Sequence, residues 1–183
     1  MSRPIRPRLT HMGLYVHDLP MMLSFYTSVL GLIITDRGHG KAMPVELVFL
    51  SNESDKHHQV VLASGRPADA AFSTINQLSF TIDSLDELRV IKARAEAAGA
   101  SAMRALNHGN AWSIYFKDPE GNTIEVYLDS PFYVPQPHGD PLDLSQSDAD
   151  ILAQTQAVCR ADPGFLPRAD WERAMAQRLG TSE

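Results

Sequence analysis

LTHMGLYVHDL, residues Leu9 to Leu19, and INQLSFTIDSL, residues Ile75 to Leu85, are two copies of one pattern. Each alternates apolar and polar residues as a half-buried strand does, then runs into a helix start. The first helix is expected from Pro20 to about Leu30, stopped by Gly31. Met22, Phe25, Tyr26 and Val29 recur along it at helical spacing. The second is expected from about Ser84 to Ala98 and stops at Gly99, with Leu85, Leu88, Ile91 and Ala95 on one face. The copies are offset by 66 residues, which pairs His11 with Gln77.

The same offset works downstream, where Gln59-Val-Val-Leu-Ala-Ser64 lies over Glu125-Val-Tyr-Leu-Asp-Ser130. The chain therefore reads as two copies of strand-helix-strand-strand-strand, at residues 8–65 and 74–130. The period is too long and the copies too few for a solenoid. The expected fold is α+β, with two βαβββ modules closing around a shared cleft within a body of residues 8–135. Residues 136–183 form a helical C-terminal extension. The prolines from Pro131 to Pro141 introduce it, and helices are expected over about Ser147–Arg160 and Arg168–Leu179. It is expected to pack on the body, cap the cleft or join a dimer.

Composition removes several classes. With 183 residues, 44% of them hydrophobic and 21% charged, the chain reads as an ordinary globular protein with one full core. The net charge of -6, with no basic stripe, argues against a nucleic-acid partner. No apolar run approaches the roughly 20 residues of a membrane span. The first residues lack the apolar core of a secretory signal. The lone Cys159 allows no internal disulfide and fits a reducing, cytoplasmic setting.

Glu125 poses the chemical question. It sits in Thr123-Ile-Glu-Val-Tyr-Leu128, a run otherwise suited to a half-buried strand. A carboxylate facing a core costs several kcal/mol unless it is paired or bound to a cation. Alternation puts His11, Gly13 and Tyr15 on one strand face, Gln77, Ser79 and Thr81 on its repeat, and Thr123, Glu125 and Tyr127 on the last strand. A cleft between the halves would gather His11, Gln77 and Glu125. Imidazole nitrogen, amide oxygen and carboxylate can together hold a divalent metal with open positions. Taken singly, each also reads as an ordinary hydrogen-bonded strand residue.

At these residues the sequence resembles the vicinal oxygen chelate superfamily of glyoxalases, bleomycin-resistance proteins and extradiol dioxygenases. His11-x-Gly-Leu-x-Val-x-Asp-Leu19, then Phe25-Tyr26 and Leu30-Gly31-Leu32, is similar to the family's opening. His108-x6-Tyr115-x2-Asp118-Pro-Glu-Gly121-x3-Glu125 is similar to the signature of type I extradiol ring-cleavage dioxygenases of the biphenyl-2,3-diol kind. The resemblance implies Fe(II) as the favoured metal, with Zn, Ni or Mn as others. It implies His11 and Glu125 as ligands, with Gln77 standing where a second His is expected. It implies a catechol-like substrate and O2, and a fold that often forms homodimers. The family's acid-base His matches His58, although alternation from Gln59 puts His57 on the ligand face unless a bulge intervenes. Its substrate-side His and Tyr match His108 and Tyr115. Gln77 favours a glyoxalase-like isomerase, lyase or thiol transferase. A non-enzymatic binding module of the same fold is the further alternative.

Overall fold

Asp18 and Ser84 each start a helix. The Asp18 carboxylate accepts from the Met21 amide at 2.9 Å and the Ser84 hydroxyl from the Glu87 amide at 3.2 Å, which satisfies N–H groups that have no partner within the helix. The structure, a computed structural model, describes residues 5–41, 44–70 and 72–181. The first helix, α1 (Leu19–Leu30), follows β1 (Met12–Val16) and precedes β2 (Ile33–His39), β3 (Glu46–Ser51) and β4 (Val60–Ser64). The second, α2 (Leu85–Ala97), follows β5 (Leu78–Thr81) and precedes β6 (Ser101–Asn107), β7 (Ala111–Lys117) and β8 (Thr123–Asp129). The architecture is two βαβββ modules followed by helices.

The chain divides into two compact units, Met1–Thr74 with Pro119–Gly121, and Ile75–Asp118 with Asn122–Glu183. In the first, the sheet order is β1-β4-β3-β2, with β1 parallel to β4. Leu14 and Val16 of β1 and Met22, Phe25, Tyr26 and Val29 of α1 are buried with Val48, Leu50, Val60 and Leu62. Gly31 closes α1 in the left-handed region, φ 70°, where a side chain would be strained. The Glu120 carboxylate belongs to this unit. It accepts from the His17 and Asp18 amides at 2.7 and 2.8 Å and lies 3.3 Å from the Arg66 guanidinium.

In the second unit β6, β7, β8 and β5 are neighbours in that order, with β5 parallel to β8. Leu85, Leu88, Ile91 and Ala95 of α2 are buried, as are Ile114, Phe116, Ile124 and Val126 on one face of β7 and β8. The C-terminal residues group with this unit. Two-residue strands β9 (Phe132–Tyr133) and β11 (Leu166–Pro167) pair together, and β10 (Asp140–Pro141) adds to the edge of β6. Helices α3 (Asp148–Ala161) and α4 (Arg168–Leu179) complete the extension. Phe132, Val134, Cys159 and Phe165 form its small core, and the Tyr133 ring stacks on Trp171 at 5.3 Å. No helix among the described residues is long and apolar enough to cross a membrane.

The pairing corrects one alignment. Met12 pairs with Val60 and Leu78 with Ile124, so β4 and β8 correspond at an offset of 64, not 66. Glu125 therefore lies over Val61 rather than Gln59. The cause is the β3–β4 turn. Leu50 pairs with Val60 across it, whereas Phe116 pairs with Ile124 across the β7–β8 turn. The first turn is two residues longer, and it carries His57 and His58.

Candidate active site

In the first module the strand alternation that would orient His57 and His58 does not reach them, because β4 begins only at Val60. The His58 ring packs against His11, centroids 4.3 Å apart, and against Phe49 at 5.2 Å. The His57 ring also lies against Phe49, at 5.7 Å, with its Nε2 3.6 Å from the Asp36 carboxylate. The two imidazoles meet at their Nδ1 atoms, 2.8 Å apart. Burial, then the neighbouring His11 and His57, hold His58 below the usual imidazole range.

In the second module Ser79, Glu125, Tyr115 and Arg104 stand in one cross-strand row, Ser79 on β5 and Arg104 on β6. Residues opposite each other in a sheet share a face, so all four side chains leave the same side. Glu125 is 8% exposed and Tyr115 7%. Three donors hold the buried carboxylate. The Tyr115 hydroxyl donates to Oε1, and the Ser79 hydroxyl and Gln77 amide each donate to Oε2 at 2.5 Å. Within this module, then, protein hydrogen bonds answer the cost of burying Glu125.

The chain of polar contacts continues outward. Tyr115 Oη is 2.8 Å from His108 Nε2, and His108 Nδ1 is 2.6 Å from the carbonyl of His138. The Arg104 guanidinium covers the Tyr115 ring at 4.7 Å. Burial first, and the bond to Glu125 second, push the Tyr115 phenol up to about 12, so it stays protonated at neutral pH. His108, Tyr115, Glu125, Tyr127, Asp129 and Gln136 line a pocket of about 360 Å³.

The second module thus brings together Gln77, Glu125, Tyr115 and His108, and the first brings His11 to His58. Among the described residues no group of three His, Cys, Asp or Glu side chains is arranged to hold a metal ion. Sequence reasoning put Ser79 on the ligand face without giving it a role. It missed Arg104, Gln136 and His138. For Arg104 the only signal was its place opposite Tyr115. For Gln136 and His138 there was none, because they reach His108 through the fold of the extension.

The family model for the Glyoxalase/Bleomycin resistance protein/Dioxygenase superfamily matches residues 8–126. The chain belongs to this superfamily. Biphenyl-2,3-diol 1,2-dioxygenase 3 of Rhodococcus globerulus is similar over 184 residues at 27% identity, covering 98% of this chain and 86% of that protein. The match to biphenyl-2,3-diol 1,2-dioxygenase 2 of the same organism is 25% identical over 68% of this chain, and spans only 64% of that relative's length. Among solved structures, the fosfomycin resistance protein FosX of Listeria monocytogenes, complexed with Mn(II) and sulfate, superposes with a TM-score of 0.54. It is 20% identical over 69% of this chain and 95% of its own, which speaks to the superfamily fold alone.

Proposed function

We propose that this superfamily member is a metal-dependent extradiol dioxygenase, opening a catechol-type ring with O2. The observation that carries the reading is the chain from His108 through Tyr115 to Glu125 beside the pocket. A histidine and a protonated phenol next to a carboxylate are groups that this chemistry can use. Similarity to two biphenyl-2,3-diol dioxygenases, one of them along nearly the whole chain, supports it.

The donor set fits a divalent metal. Carboxylate and amide oxygens are hard donors, and Glu125 and Gln77 are in contact in the second module, with the amide nitrogen rather than its oxygen turned to the carboxylate. The family resemblance implies His11, the repeat partner of Gln77, as the nitrogen ligand. Fe(II) is the favoured occupant. A bound ion would supply Lewis acidity toward two vicinal substrate oxygens and activate O2. The protein's own groups do the rest. His58, biased by burial toward its neutral form, takes up and returns a substrate proton. Tyr115, protonated up to about pH 12, donates toward developing oxygen charge, and His108 holds that hydroxyl in place.

One observation favours a second reading. Gln77 replaces the expected second His, and a His/Gln/Glu set suits a glyoxalase-like isomerase, a lyase or a thiol transferase. The deciding experiment loads the protein with Fe(II) without oxygen, then adds air-saturated buffer and a panel of mono- and bicyclic catechols. Oxygen uptake with a yellow ring-opened product is expected. No uptake with any catechol at full iron occupancy would overturn the dioxygenase reading.

A further inference from the structure

We propose that the C-terminal extension is a positioning element for His108, with Gln136 as the residue that ties it. Its effect on turnover rests on the dioxygenase reading. Its geometry does not.

The argument starts from the ring. A carbonyl oxygen only accepts hydrogen bonds, so the 2.6 Å contact to the His138 carbonyl requires a hydrogen on His108 Nδ1. In water a neutral imidazole exchanges its proton between two nitrogens. Here the Nδ1 hydrogen is held on that carbonyl, and Nε2 faces the pocket and the Tyr115 oxygen, whose own hydrogen goes to Glu125.

Gln136 sets the distance across that bond. Its Nε2 donates to the His108 carbonyl at 2.9 Å, and its Oε1 accepts from the His138 amide at 3.0 Å. One side chain thus joins the main chains of both residues whose ring-to-carbonyl bond matters. The loop that carries His108 is held from beneath as well. Gly109 has φ 73°, and a Cβ there would lie 2.5 Å from Val134 Cγ2 and 3.1 Å from Cys159 Sγ. Asn107 donates to Thr155 of α3 at 2.9 Å. Apart from Val134, every one of these partners lies in the extension.

The test uses the full-length protein, ¹⁵N-labelled on histidine. The His108 Nδ1–H is expected to be visible and slow to exchange with solvent. Gln136 is exposed, so Gln136→Leu should fold. Exchange of that proton is then expected to accelerate by about tenfold or more, as loss of a hydrogen-bonded bridge allows. Gln136→Glu keeps the acceptor for His138 and loses the donor to His108, and should fall between. Finding the His108 proton on Nε2 with Nδ1 bare would overturn the proposal, as would an unchanged exchange rate in Gln136→Leu. With iron and a catechol that is turned over, Gln136→Leu should lower kcat about tenfold and by more than it raises KM, the mark of lost positioning beyond lost binding. If the unmodified protein turns over no catechol, the dioxygenase reading fails and the exchange measurement still decides the positioning role.

Discussion

The Tyr115 hydroxyl donates to the Glu125 carboxylate, and that bond is one of three that make a buried acid tolerable on β8. Glu125→Ala removes the shared acceptor of Tyr115, Ser79 and Gln77. Buried donors left unpaired cost about 1–3 kcal/mol each, and pocket water relieves part of this, so a loss of about 2–4 kcal/mol is expected. Urea unfolding of the metal-free protein measures it. The same variant should bind no divalent metal. Full metal occupancy in it would remove Glu125 from the ligand set.

Three groups make the protein sensitive to alkali. Burial pushes up the Cys159 thiol and the Tyr127 and Tyr115 phenols, the last to about 12. Each is raised above its unfolded value, so its contribution is fully present below that value, near 9 for Cys and 10 for Tyr. As pH rises further the unfolded chain ionises first, and stability falls until the folded groups ionise too. Melting temperatures should therefore decline above about pH 9, and more shallowly in Tyr115→Phe. A flat profile from pH 8 to 11 would contradict these directions.

Much of this was legible from periodicity. Apolar spacing at 3.6 and 2 residues marked α1, α2, β1 and β8, and the 66-residue offset revealed the two modules before any contact was known. The offset misled at the β3–β4 turn, where two extra residues moved Glu125 from Gln59 to Val61. Insertions in exposed turns leave the hydrophobic pattern untouched, so periodicity does not register them. Alternation could not orient His57 or His58, because it applies only inside a strand and β4 starts after them. The donors that hold Glu125 from β5 and the residue before it were half visible, as residues on one face. Gln136 and His138 were not visible at all, since backbone atoms make half of their contacts.

Thr155 is a second buried polar centre, within the extension itself. Its hydroxyl donates to the Ile151 carbonyl at 2.7 Å and accepts from Asn107 Nδ2 at 2.9 Å and Trp112 Nε1 at 2.8 Å. Thr155→Val keeps the volume and strands both donors. A loss of about 2–4 kcal/mol is expected in chemical denaturation. Thr155→Ser restores the oxygen and should recover most of it, short of about 1 kcal/mol for the missing methyl. Equal losses in the two variants would mean that packing, not hydrogen bonding, sets the cost.

Gln77 gives the sharpest test of the metal site. Its amide nitrogen donates to Glu125 Oε2 at 2.5 Å and to Ser79 Oγ at 3.0 Å. To ligate a cation through oxygen, the amide must turn over and give up both bonds. An imidazole at this position has no such conflict, because a ring nitrogen presents a lone pair while Ser79 and Tyr115 still hold the carboxylate. Imidazole is also the better Fe(II) ligand. Gln77→His should therefore bind Fe(II) about tenfold or more tightly, roughly 1.4 kcal/mol. Anaerobic competition against a chromophoric chelator reads the change, with the circular dichroism spectrum as the check on folding. Iron affinity that is unchanged or weaker in a folded Gln77→His protein would mean that position 77 serves only to hold Glu125.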